Sequence, residues 1–228
     1  MHTSRTLVAL ATTLTAGACQ TPPPSVESPV QARMFEHFAL ARDLRVLLVA
    51  GDMDQLRLTA EGLATTEETW GMPPGSDPYL DRIREAAHRA ATSESTDDIA
   101  RAVADVAREC GDCHVSVEST LGGRFQVAEP LTDDPAIRHA NRLSWVSRLL
   151  WDGLVGPSDR MWRTGAAALA ATDGVPDPRG THVPADVLDR TGVRLMNLGR
   201  DALTEEDPVG RSALLTEVWT VCALSLIH

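Results

Sequence analysis

The sequence predicts an all-α protein, and three observations lead to this prediction. The 228-residue chain is rich in Ala, Leu and Val but has one Tyr and three Phe, a composition that favours helices over sheets. Apolar residues recur with a helical period in one segment after another. Short connections rich in Gly, Pro and Asp separate these segments. We therefore expect two consecutive four-helix up-and-down bundle modules, preceded by a signal peptide and a Pro-rich linker.

The N-terminal segment has the features of an export signal. Residues 1–18 are predicted to be a signal peptide, because the apolar stretch from Leu7 to Ala16 is too short to span a bilayer. Small residues precede Cys19, as in a bacterial lipoprotein cleavage site, so we expect Cys19 to become the lipidated N-terminus. An ordinary secretory signal cut nearby is the alternative. Residues 19–29 are expected to form the lipidated cysteine and a stiff Pro-rich linker.

The first module is predicted to span residues 30–127 and to contain four helices. The first three are expected over Met34–Val49, Met53–Ala64 and Asp77–Ala91, with Asp77 as the N-cap of the third. Residues 93–98 supply the cap of the fourth helix, which continues through two cysteines to about Val117. The fourth helix has a stripe of apolar positions at helical spacing that includes Cys110 and continues to Val117. A motif at the end of this helix is therefore expected on its buried face.

Residues 110–114 of this helix read Cys-Gly-Asp-Cys-His. In a helix the two thiols of Cys-x-x-Cys-His lie one turn apart and can reach both vinyl groups of one porphyrin, while the histidine ligates the iron. A thioredoxin-like redox pair usually opens a helix after a strand, and a zinc site would need further ligands. We therefore expect one covalent haem c bound by Cys110 and Cys113, with His114 as the proximal iron ligand.

The remaining residues, 128–228, repeat the plan of the first module. His37 and His139 are 102 residues apart, as are Gly51 and Gly153, and short matching segments follow in the same order. A fixed order of matches indicates an internal duplication.

The second copy lacks the chemistry of the first. Cys222 aligns with Cys110, but Ser225 and Leu226 stand where the motif has its second cysteine and its histidine. We therefore expect a degenerate, haemless second module.

A single Cys-x-x-Cys-His near the end of the fourth helix of an exported bundle resembles the cytochrome c prime superfamily. The resemblance covers residues 30–120, with 130–228 as a degenerate copy. It implies that the first helix crosses the distal face of the haem, where the family has either an apolar residue or a ligating Met. The distance to Gly51 implies Met34 as the candidate distal iron ligand, with His37, one turn further on, as the alternative. The haemless copy keeps His139 but has no Met opposite Met34, which favours Met34.

These features predict an exported monohaem c-type cytochrome that serves as a periplasmic electron carrier. We do not expect an enzyme, since no motif places a polar catalytic group beside the haem. One alternative is a haem protein with an open distal site that binds small gases such as NO or CO. Another is a docking lipoprotein whose second module mediates dimer or partner contacts.

Charge and the leader predict the partners and the location. The net charge is −11 and all 21 basic residues are Arg without a basic tract, which argues against nucleic acid. Residues 30–126 carry 17 acidic and 10 basic side chains, so a redox partner with a basic face is expected. We expect a periplasmic lipoprotein held to the membrane through Cys19, with the outer membrane favoured by Gln20, or otherwise a protein secreted to the periplasm. A homodimer is a further expectation.

Overall fold

The computed structural model describes residues 29–66, 72–118, 128–129, 135–172 and 184–226. These residues form eight helices and contain no strand, so the predicted all-α class is confirmed. No helix among them is both long and apolar enough to cross a membrane. The predicted signal peptide and Cys19 lie outside the described residues, as does the predicted linker up to residue 28.

The first half contains four helices close to the predicted positions. They are α1 (Pro29–Ala50), α2 (Met53–Ala64), α3 (Asp77–Thr92) and α4 (Thr96–Ser116). The predicted N-cap of α3 is wrong by one residue, because Ser76 precedes the helix and Asp77 lies in its first turn. The Ser76 hydroxyl donates a hydrogen bond to the carbonyl of Pro73 at 2.8 Å, and the Asp77 carboxylate is favourable near the positive end of the helix dipole.

The second half has the same number of helices, and its second helix matches that of the first half. The four are α5 (Pro135–Val155), α6 (Asp159–Ala170), α7 (Ala185–Thr204) and α8 (Pro208–Leu226). Both α2 and α6 have 12 residues. Asp52 caps α2 by accepting a hydrogen bond from the N–H of Gln55, and Ser158 caps α6 by accepting one from Met161.

Helix packing follows one pattern in both halves. Each helix packs on the next one along the chain, and the fourth helix also packs on the first. The halves meet mainly through α4, which packs on both α8 and α5. Buried apolar side chains of both halves form one continuous cluster. The two halves therefore share a core, and the end of α4 lies beside the second half.

Large aromatic side chains fill the second half of this core. Trp151, Trp162 and Trp219 are fully buried. The rings of Trp151 and Trp219 are in contact, with centroids 5.8 Å apart and an angle of 40°. Trp162 donates through Nε1 to the carbonyl of Ala202, and Trp219 donates to Oγ of Ser147, both at 2.8 Å. Each of these two indoles thus has its polar group satisfied while burying a large apolar area.

Candidate functional site

Helix α4 carries the Cys-x-x-Cys-His motif through its last turns. The helix begins at its N-cap Ser95, whose side chain accepts a hydrogen bond from the N–H of Asp98. It continues for 21 residues, so Cys110 and Cys113 are both helical and lie one turn apart. Cys113 is buried and Cys110 is partly buried, as the apolar stripe of this helix predicts.

A cavity of about 40 Å³ adjoins the motif. The motif residues Cys110, Cys113 and His114 line it, together with both candidates for the distal ligand, Met34 and His37. The rest of its wall is apolar and consists of Phe38, Ala41, Leu63, Met72, Leu80, Ile83 and Val155. The structure thus brings together, from α1 and α4, all five of the side chains that the sequence nominated for binding haem.

His114 is held in one orientation by a hydrogen bond. Its Nδ1 lies 2.6 Å from the carbonyl oxygen of Val155, the last residue of α5. A carbonyl only accepts, so we assign the ring proton to Nδ1, which leaves the Nε2 lone pair free. Burial lowers the pKa of His114, and the hydrogen bond to Val155 partly opposes this effect. A neutral imidazole with a free Nε2 is the form that ligates metals.

His37 has an unsatisfied ring nitrogen. Its Nε2 is buried and has no hydrogen-bond partner among the described residues. Burial lowers the pKa of His37, and the charges of Arg33 and Arg84 lower it further. A buried polar atom without a hydrogen-bond partner lowers the stability of the folded protein. A ligand that bonds to Nε2 of His37 would remove this destabilisation. His139, its counterpart in the second half, has a buried Nε2 in the same condition.

The two thiols of the motif are held in their neutral form. Burial raises the pKa of Cys110 to about 12 and also raises that of Cys113. Redox-active cysteines have lowered pKa values, because the thiolate is the nucleophile. The environment of the motif therefore differs from that of a thioredoxin-like pair.

A buried carboxylate next to the motif is a feature that the sequence reasoning missed. The side chain of Glu109 is 3% exposed and contacts Arg82 of α3, with 2.6 Å between Oε2 and Nε. Its other oxygen lies 2.6 Å from Nη2 of Arg108. The contact with Glu109 raises the pKa of Arg82. A charged residue directly before Cys110 on the buried side of the helix was the available signal. This ion pair fixes α3 against the end of α4.

The residue types at the cavity fit a covalently bound haem. Two neutral thiols one turn apart and a histidine with a free Nε2 are the groups that attach and ligate such a haem, and Met34 and the unsatisfied His37 on α1 are available as distal ligands. The cavity has room for about one water molecule, whose volume in the liquid is about 30 Å³. A porphyrin is much larger than this cavity, so the surrounding side chains would have to move to admit one.

No three His, Cys, Asp or Glu side chains of the described residues are grouped so that they could hold a metal ion by themselves. Iron in a porphyrin has four nitrogen ligands from the macrocycle and takes only axial ligands from the protein.

In comparisons with known proteins, no protein-family model, no curated protein and no solved structure matches the chain.

Proposed function

We propose that this protein is an exported monohaem c-type cytochrome that carries electrons in the periplasm. The observation that carries the proposal is the cavity that the Cys-x-x-Cys-His side chains line together with Met34 and His37. When bound, a haem would supply one-electron chemistry by cycling between ferrous and ferric iron. The chain would contribute His114 as the proximal ligand, a distal ligand from α1, and an apolar wall that excludes water.

Attachment would be an addition of the two cysteine thiols to the two vinyl groups of the porphyrin. Each S–H would add across one vinyl double bond, with sulfur bonding one carbon and the hydrogen passing to the other. Two S–H bonds and two C=C π bonds would be replaced by two C–S and two C–H bonds. Nothing leaves and no oxidant is consumed, so the mass should rise by that of one complete haem.

The duplication is part of the same proposal. We propose two related four-helix modules, residues 30–127 and 128–228, of which only the first binds haem. The equal lengths of α2 and α6, their matching side-chain caps and the common packing pattern support this reading. The shared core indicates that the modules pack closely enough for one to influence the other.

The proposal also includes the environment in which the protein works. Covalent haem attachment requires export, which agrees with the predicted leader and with an anchor at Cys19. The acidic first half favours a redox partner with a basic face.

Mass spectrometry and electronic spectra of the protein, exported from cells that attach haem c, test the proposal. We expect one haem per chain and low-spin spectra in both oxidation states, with a weak near-infrared band if Met34 ligates ferric iron. Met34→Ala would then remove that band, whereas His37→Ala would leave it. If His37 is the ligand, the band is absent and only His37→Ala produces high-spin iron.

Other outcomes decide against parts of the proposal. High-spin spectra in the unmutated protein, with rapid binding of NO or CO, would favour the gas-binding alternative. Two haems per chain would contradict the haemless second module, and a chain without covalent haem would overturn the function itself.

A further inference from the structure

The C-terminal end of α5 lies against the haem-attachment motif. Helix α5 belongs to the second half, yet its last residue, Val155, lines the cavity and accepts the hydrogen bond from His114 at 2.6 Å. The contact joins residues 41 positions apart in the chain. A residue of the second half is thus the direct partner of the predicted proximal ligand.

Gly111 permits this contact. It is buried within the motif, and a Cβ at this position would overlap the carbonyl oxygen of Leu154. A glycine inside a helix normally weakens it, but here the absence of a Cβ leaves room for the backbone of α5. Because Gly111 has no Cβ, the backbone of Leu154 can lie against α4, and this brings the next residue, Val155, to His114.

The carbonyl of Val155 is well suited to accept from an imidazole. The last four carbonyls of a helix have no partner within the helix. In α5 the carbonyls of Asp152 and Gly153 accept from N–H groups in the following turn, while that of Val155 accepts from His114. The end of α5 also carries the negative end of the helix dipole, which strengthens its attraction for an N–H group.

We infer that the second half of the chain positions and tunes the proximal haem ligand: the carbonyl of Val155 fixes the ring of His114, and Gly111 admits α5 to that position. This inference rests on the proposed function. An Nδ1–H that donates to a carbonyl makes Nε2 a stronger electron donor. Stronger donation favours ferric iron and lowers the reduction potential. The haemless module thereby has a role in the chemistry of the other.

Substitution of Gly111 tests the tuning. In Gly111→Ala the added Cβ displaces α5, so we expect the reduction potential to rise, by about 59 mV for a tenfold loss of preference for ferric iron. Gly62→Ala is the matched control, since a Cβ at this glycine of α2 meets nothing within 4 Å. Gly199→Ala controls for loosened packing, because its Cβ would overlap the backbone of Ala170 inside the second half. Both controls should keep the potential of the unmutated protein.

A shift in Gly111→Ala alone supports the inference. Equal potentials in Gly111→Ala and Gly62→Ala would overturn it, and so would an equal shift in Gly199→Ala.

A direct measurement on the unmutated chain does not depend on how the variants fold. With ¹⁵N-labelled histidine, the Nδ1–H of His114 should give a slowly exchanging proton signal, with a coupling to the ¹³C-labelled carbonyl of Val155. A proton on Nε2, or a rapidly exchanging Nδ1–H, would contradict the inference. This spectrum can also be recorded on full-length chain that carries no haem. A chain that shows the signal but never acquires covalent haem would refute the proposed function while leaving the positioning contact in place.

Discussion

Helices α4 and α8 are each the fourth helix of their half, and their ends differ in what surrounds them. Beside the end of α4 lies a cavity whose wall includes two thiols and two imidazoles. In α8 the equivalent cysteine, Cys222, is buried, and Trp219 lies one turn before it, where α4 has Ala107. The second half completes its core with its own large rings. The first half has a cavity beside the end of its fourth helix, where Ala107 takes the place of a large ring.

A second difference concerns charge. The residue before Cys110 is Glu109, buried between two arginines, whereas the residue before Cys222 is the buried apolar Val221. Replacing a buried ion pair by apolar packing is often neutral or stabilising. The end of α4 therefore holds a buried ion pair where the end of α8 holds apolar packing.

The largest expected effect separates the two cysteine-bearing helix ends. Cys110→Ser combined with Cys113→Ser should abolish covalent haem, because both thioether donors are removed. Cys222→Ser should leave one haem per chain, since the aligned segment of α8 has neither a second thiol nor a histidine. Intact mass and haem staining after denaturation measure both. Loss of haem in Cys222→Ser would contradict the predicted difference between the two helix ends.

The next effect concerns the aromatic packing of the second half. Trp162→Ala should lower the free energy of unfolding by about 3–5 kcal/mol, since it empties a fully buried site and removes the hydrogen bond to Ala202. Urea unfolding at constant haem content measures this.

Trp162→Phe is the control for the hydrogen bond. The phenylalanine ring keeps most of the side-chain volume. The decrease in unfolding free energy should therefore be smaller and come mainly from the lost indole N–H hydrogen bond, worth about 1 kcal/mol. A loss below about 1 kcal/mol in Trp162→Ala would show that the ring does not support the second half.

A smaller effect is expected at the buried carboxylate of the first half. Glu109→Gln should cost about 2–3 kcal/mol, because it leaves the partly buried Arg108 and the half-exposed Arg82 without their shared charge partner. The control is Asp81→Asn, which removes a pair with Arg84 whose carboxylate is 74% exposed. That change should cost less than about 1 kcal/mol. Equal losses in the two variants would mean that burial of Glu109 adds nothing.

Much of the fold could be predicted because it depends on local patterns. The helical period places α2 at the residues where the structure has it, and the predicted end of α4 differs by one residue. Met34 and His37 line the same cavity as the motif because the start of α1 packs beside the end of α4. This arrangement of the two helices was predicted from the resemblance to a known family and not from a local sequence pattern.

Other parts of the site could not be predicted, for identifiable physical reasons. The partner of His114 is a backbone carbonyl, which every residue carries, so Val155 has no signature in the sequence. Gly111 occupies a variable position of the motif, and its close approach to α5 depends on how two distant segments pack. The pairing of Glu109 with Arg82 likewise spans 27 residues and two helices. Local patterns locate the reactive groups, whereas tertiary packing determines what orients them.

The smallest effect tests whether the histidines of the two halves differ. Burial, and then the charge of Arg142, lower the pKa of His139 from its ordinary value of 6.5. As the pH falls through 6.5, the unfolded chain takes up a proton that the folded protein resists, so stability is present above this pH and declines below it. His139→Gln should therefore flatten the decrease in unfolding free energy between pH 7.5 and 5.5, measured with urea. Burial also lowers the pKa of His37, and ligation of iron would keep its ring neutral to still lower pH. In haem-loaded protein His37→Gln should therefore flatten the slope more than His139→Gln if His37 ligates the iron, and equal flattening by both substitutions would make the two histidines equivalent.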